Sequence, residues 1–217
     1  MDFTDGTVRL LEERREAILA RAAGRRELVA KLADRIAAHN GRMTGLGLQA
    51  SRFCTMGCAR CCAMIFFVTP PEVEVIAFHL LERPELLALF LGNSRRREEL
   101  LTPHGPLWGR CQTATHADDP ALASFYALDI RCAFIAEGAC TIYPVRPLAC
   151  SLYNSIVPAE VCAVEPKVYE TEEMRRLHGE TRQELARLSR GALPAGEWRL
   201  DVSRKVLRRL VELAEEI

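Results

Sequence analysis

Four cysteines fall within nine residues of this chain, Cys54-Thr55-Met56-Gly57-Cys58-Ala59-Arg60-Cys61-Cys62, a C-x3-C-x2-C-C string. A tight loop brings thiols at that spacing to one centre, and Gly57 lets the backbone turn back without Cβ strain. Cysteines that serve only as small buried apolar residues need no such clustering. Metal ligation is therefore the simplest chemistry, with reversible disulfide exchange as its competitor.

A second group follows as Cys132-x7-Cys140-x9-Cys150. Gly138 suits a tight turn that would fold Cys132 and Cys140 together like the arms of a knuckle. Pro147 suits the start of a helix with Cys150 in its first turn, where free amides favour a thiolate, and Arg146 adds positive charge. Cys111 and Cys162 lie outside both groups and complete a total of nine cysteines. An odd number at such spacing fits ligation in a reducing compartment better than a disulfide framework.

Charge and hydropathy remove other classes. The 29 basic and 29 acidic residues cancel, so nothing favours nucleic acid held by its phosphates. The greasiest stretch, residues 73–91, is interrupted by Glu74, His79, Glu82, Arg83, Pro84 and Glu85, so no membrane span is expected. The opening Met1-Asp2-Phe3-Thr4-Asp5-Gly6 lacks the basic and apolar regions of a secretory signal, and a cytoplasmic, bacterial-type protein is expected.

The expected fold is mainly α, a helical bundle around a small cysteine-rich core with at most a short strand or hairpin. Val8, Leu11, Ile18, Ala22, Val29, Leu32 and Ile36 recur at helical spacing and predict one long helix over residues 8–38. Asn40-Gly41 is expected to end it, with Gly45-Leu46-Gly47 as a link into the cysteines. Met64-Ile65-Phe66-Phe67-Val68 reads as a short strand. Thr69-Pro70-Pro71-Glu72 carries a capping box and a proline-started helix that buries Val73, Ile76, Ala77, Leu80 and Leu81. Residues 92–119 read as containing a variable loop, with Arg95-Arg96-Arg97 as a solvated helix face. Two more helices are expected near the end, through Met174, Leu177, Leu185 and Leu188, then through Val206, Leu207, Leu210, Leu213, Ala214 and Ile217. These pieces divide the chain into a helical arm and linker (1–46), a cysteine-cluster domain (47–165) and a C-terminal helical hairpin on the same core (166–217).

The first cysteine cluster, the strand and Thr-Pro-x-Glu helix after it, and the C-x7-C-x-I-Y-x-x-R-P-x-x-C segment together resemble the YkgJ-type cysteine cluster proteins, a zinc- or iron-chelating domain. The likeness spans residues 53–153, about half the chain, and departs from the usual C-x2-C-x2-C-C by one extra residue before Cys58. It implies metal binding by Cys54, Cys58, Cys61, Cys62, Cys132, Cys140 and Cys150. The segment is also distantly similar to the cysteine-rich part of flagellin lysine-N-methylase, which implies an iron-sulfur centre and a methylase-like activity on a protein substrate.

Seven thiolates suit soft metals, and they exceed the four that one tetrahedral zinc or one cubane cluster takes. An iron-sulfur cluster of 4Fe-4S type is the preferred cofactor and zinc the alternative; one site, two sites or a bridged centre all stay open. Cys162 and Cys111 are second-tier candidates for a further ligand, Cys162 the better because it follows the second group closely. These two, His104 and His116 each have a bland reading as loop or surface residues beside that of completing a coordination shell, and His79 has a structural one. Tyr143 and Tyr153 flank Cys150 as shielding or core aromatics. A radical S-adenosylmethionine enzyme is disfavoured, because such folds need repeated strand-helix units. Three functions remain: a metal or redox module that serves a protein partner, a metalloenzyme that modifies a protein or peptide, and a structural zinc protein.

Overall fold

The computed structural model describes residues 5–50, 57–114, 119–162, 164, 168–193, 198–199 and 201–217. The N-terminal stripe forms two helices rather than one. Helix α1 (Asp5–Arg21) passes through a 3-10 turn at Ala22–Arg25 into α2 (Arg26–Ala50). Leu11, Ile18, Leu32 and Ile36 from this stripe are fully buried.

Helix α2 does not stop at Asn40-Gly41, and the glycines after it are helical. The reason is tertiary. Buried Asn40 donates through Nδ2 to the carbonyls of Pro144 (3.3 Å) and Arg146 (3.0 Å), and Met43 packs with Met174 and Leu177. These contacts outweigh the weak helix propensity of glycine. Gly47 also permits a close approach, since a Cβ there would lie 2.4 Å from Asn154 Oδ1.

The short strand prediction shrinks to β1 (Phe67–Val68). Helix α3 (Pro70–Leu81) then starts as the capping box predicts, with Thr69 N donating to Glu72 Oε2 at 2.7 Å. All five expected core positions are buried, and so are Val75, Phe78 and Glu74, because α3 is covered on most sides. Arg83 and Pro84 separate it from α4 (Pro84–Leu101). A 3-10 turn at Thr102–His104 and α5 (Gly105–Thr113) follow, so helix takes residues 92–113 of the stretch expected to contain a loop. Ala114 and Asp119 are not helical, and residues 115–118, His116 among them, lie outside the described residues. Arg97 is likewise no solvated residue: it is buried, ion-paired with buried Asp201, and donates from Nε to the Arg131 carbonyl at 2.9 Å. Arg95 and Arg96 are exposed as expected.

Helix α6 (Pro120–Tyr126) packs with α5 around Trp108, Phe125 and Cys111. A hairpin of β2 (Ile135–Ala136) and β3 (Ala139–Cys140), the five-residue α7 (Leu148–Leu152), β4 (Asn154–Ser155), α8 (Ala159–Cys162) and β5 (Val168–Tyr169) come next. Helix α9 (Glu172–Leu188), β6 (Trp198–Arg199) and α10 (Val202–Glu215) complete the order. The strands form three separate antiparallel pairs, β1 with β6, β2 with β3 and β4 with β5.

The fold is thus mainly α. Helix α3 packs against α2 and α10, while α1 lies on α10. Helix α9 packs chiefly on α2 and α7, so the two C-terminal helices cover different faces. The predicted apolar positions of α10 are buried except Ile217, which is 44% exposed at the chain end. A paired Glu74 and Arg209 (2.6 Å) ties α3 to α10 beneath solvent. No helix among the described residues is long and apolar enough to cross a membrane.

Candidate metal centre

Each cysteine group is shaped by local backbone chemistry. Gly57 takes φ +96°, the left-handed region read from the sequence, and Cys61 and Cys62 sit on a 3-10 turn at Arg60–Ala63. In the second group, Glu137 (φ +50°) and Gly138 (φ +80°) turn the β2–β3 hairpin with the two positive φ values of a type I′ connection. Phe134 anchors this hairpin in the main core, stacked on Phe90 with ring centroids 4.6 Å apart.

The two groups meet. Cys132 N donates to the Cys62 carbonyl at 2.8 Å, across 70 residues of sequence. Cys58, Cys61, Cys62, Cys132, Cys140 and Cys150 are all half-buried free thiols; Cys54 lies outside the described residues.

Cys61 and Cys62 behave as a coupled pair. The hydrogen bond from Cys62 lowers the Cys61 thiol, and the Arg146 charge lowers it further against burial. Cys62 is raised by that same bond, by burial and by the charges of Cys61, Cys132 and Cys150. Burial pushes Cys140 up to about 12, and charge on Cys132 and Cys61 adds to this. Cys150 is raised well above its ordinary value, first by burial and then by Cys61, Cys132 and Cys140. The expectation that a helix start favours its thiolate is corrected here. Helix α7 is short, Leu148 N is taken by the Glu72 carboxylate at 2.8 Å, and Cys150 N bonds the Pro147 carbonyl at 3.0 Å.

These thiols lie within electrostatic reach of one another without converging on a point. Among the described residues, no three Cys, His, Asp or Glu side chains form a ready-made metal-holding group.

Arg146 is the clearest feature the thiols share. Its guanidinium lies 4.1 Å over the Tyr143 ring, donates through Nη2 to Thr44 Oγ1 at 3.2 Å, and lowers the thiols of Cys61, Cys140 and Cys150. Its Nε is buried with no hydrogen-bond partner among the described residues. A buried donor left over beside several thiols fits an anionic, thiolate-ligated group. The residues present therefore fit the soft-metal chemistry that their type suggests.

Comparison with known proteins agrees with this donor set. Residues 53–183, well over half the chain, match the family described as "CxxCxxCC: Putative zinc- or iron-chelating domain". The chain belongs to the CxxCxxCC family. No curated protein and no solved structure matches it. Membership supports chelation of zinc or iron in general.

In this CxxCxxCC protein the outlying cysteines part company. Cys111 corrects its surface reading: it is a core residue of α5, buried with Trp108 and Phe125, and it donates to the Ala121 carbonyl at 3.2 Å. Buried Cys162 shares a narrow cleft with Cys58, Arg60, Cys61 and Tyr153, with room for little more than one water molecule. Tyr126 Oη donates to the Cys162 carbonyl at 2.5 Å and so ties α6 to the end of α8. His79 is half-buried, lowered to about 4 by burial and the Arg83 charge, and structural as read. His104 ends a 3-10 turn away from the cysteines in the chain. Sequence reasoning missed Glu72 as a second cap, and it missed Asp201 and Ser203. Asp201 caps α10 by accepting from Ser203 N at 2.8 Å, and the Asp-Val-Ser before an apolar run was its only available signature.

Proposed function

We propose that the chain is a metal or redox module holding a thiolate-ligated centre through Cys54, Cys58, Cys61, Cys62, Cys132, Cys140 and Cys150, with an iron-sulfur cluster of 4Fe-4S type preferred and zinc the alternative. The observation that carries this reading is the junction of the two cysteine loops, the Cys132 N to Cys62 O bond, with Arg146, its Nε buried, acting on Cys61 from the first loop and on Cys140 and Cys150 from the second. When bound, such a centre supplies one-electron redox chemistry if iron-sulfur, or a fixed Lewis acid if zinc. The chain's part is to hold the thiols in a half-buried setting, to balance their charge with Arg146 and to limit water. Seven thiolates, more than one four-coordinate site takes, support a module that serves a protein partner, with an enzyme that modifies a protein or peptide as the alternative.

Anaerobic purification followed by iron, zinc and sulfide analysis with an optical spectrum tests this. Iron and sulfide with broad visible absorption that bleaches on reduction are expected, and Cys61→Ser and Cys150→Ser should each lose most of the metal. Stoichiometric zinc without sulfide would replace the preferred cofactor by the alternative. Metal-free protein that takes up neither ion would end the reading.

A further inference from the structure

Ser203 stands at the start of α10, beyond the matched residues 53–183, yet its hydroxyl reaches the centre. Its Oγ lies 3.4 Å from Cys132 Sγ and accepts a hydrogen bond from Ala133 N at 3.1 Å. A hydroxyl has one proton. Ala133 N–H takes one of the two acceptor lone pairs. A metal-bound Cys132 sulfur is a thiolate with no proton of its own, so in the ligated state the hydroxyl proton is the one that bridges oxygen and sulfur.

The surroundings fix this serine on every side. It is 3% exposed, and its own N–H donates to Asp201 Oδ1 at 2.8 Å. Asp201 is ion-paired with buried Arg97, and Arg97 Nε donates to the Arg131 carbonyl at 2.9 Å. Arg97, Asp201 and Ser203 therefore grip the residues before and after Cys132 as well as its thiol. Nothing in the packing of α10 against α3 requires a hydroxyl at this place, because that contact is made by apolar residues of the core such as Val206 and Leu210.

We infer that Ser203 is a positioning residue for the metal centre, donating a hydrogen bond to the Cys132 sulfur from an Arg97–Asp201–Ser203 chain that lies partly outside the matched region. This rests on the ligation reading above. A hydrogen bond to a ligating thiolate withdraws charge from the sulfur, orients it and tunes the bound metal. Loss of such an outer partner costs about 10- to 100-fold in metal affinity.

Cadmium(II) alone is the probe, because it takes thiolates whichever metal the cell supplies. In the full chain, Ser203→Ala should weaken cadmium binding by about tenfold or more in chelator competition and shift the sulfur-to-cadmium charge-transfer band. Ser203→Thr, which keeps the hydroxyl, should restore both. In wild-type protein loaded with cadmium-113, a through-bond coupling should connect the metal to the Ser203 hydroxyl proton by way of the Cys132 sulfur. A structural hydroxyl would show no such coupling, and the measurement stands even if Ser203→Ala fails to fold. Normal cadmium binding with an unchanged band in Ser203→Ala, or with no coupling in the wild type, overturns the inference and leaves the ligation reading intact. Wild-type protein that binds no cadmium overturns both.

Discussion

His39 shows how far burial and neighbouring charge together move a group near this centre. It is 2% exposed on α2, 3.2 Å through Nδ1 from Thr181 Oγ1 and edge-on to His178. Burial, then the charges of His178, Arg146 and Arg42, lower it to about 4 from 6.5, opposed by a backbone bond to Leu148. Above pH 6.5 the ring is neutral in both folded and unfolded chains, and it costs nothing. Below that value the unfolded chain takes a proton that the folded one refuses, so stability falls until pH reaches about 4, where both are charged. The full fall is about 3 kcal/mol. Urea unfolding of metal-free protein between pH 7 and pH 4 should show a His39→Gln variant losing less stability than wild type by about that amount. Equal losses in the two proteins would mean that His39 is not the group refusing the proton. The identity of this residue as a buried neutral histidine was not legible, because the helix it sits in was expected to be ending there.

Glu72 and Gly47 carry the same lesson at the level of elements. The capping box told where α3 begins, yet not that the second carboxylate oxygen of Glu72 caps α7, 76 positions later, at Leu148 N. One buried side chain thus sets the helix of Cys150 against the helix that forms the core. Glu72→Gln keeps an acceptor for one of the two amides and turns an N–H donor towards the other. The expected cost is about 1–3 kcal/mol, read as a lower urea midpoint. An unchanged midpoint would show that the second carboxylate oxygen contributes nothing to stability. The glycines of α2 divide in the same way. A Cβ at Gly41 or Gly45 meets nothing within 4 Å, so alanine there should stabilise the helix by about 0.5–1 kcal/mol. At Gly47 the same methyl meets the Asn154 amide, which donates to the Ser151 and Leu152 carbonyls, and alanine should destabilise instead. Thermal melts of the three single variants check the opposite signs. Asn40, Gly41 and Gly45 read as a stop because propensity was the only information present; the Pro144 and Arg146 carbonyls that hold Asn40 come from a distant segment. The extent of helix after Gly92 was hidden for the same reason, since Arg97 and Trp108 are buried by partners that local sequence does not reveal.

Across the whole molecule, the main apolar core draws its buried residues from α1, α2, α3, α4, α9 and α10 and from Ala133, Phe134, Ile142, Val145 and Leu148, while Cys132 and Cys140 only border it. That arrangement was largely legible, since every helix stripe that builds it repeats at helical spacing. The meeting of the two cysteine groups was legible through the family resemblance alone, because the turn at Gly138 pairs Cys132 with Cys140 inside the second group and local spacing does not reach across to Cys62. What could not be read was the support from Arg97, Asp201 and Ser203, since Arg97 precedes Cys132 by 35 positions, Asp201 and Ser203 follow it by some 70, and no periodic pattern joins them. The division between core and centre decides how the protein should respond to losing its metal. Small zinc folds unfold on chelation because the metal supplies their folding energy. Here the apolar helices bury a core of their own, and each fully buried Leu, Ile or Phe contributes about 1.5–3 kcal/mol before any metal is counted. Chelation should therefore leave most far-ultraviolet helicity in place while hydrogen exchange quickens in residues 130–162, and reloading should reverse it and raise the unfolding midpoint with metal concentration. A cooperative collapse of helicity on chelation would instead make the centre the keystone of the fold and the protein a structural metal protein.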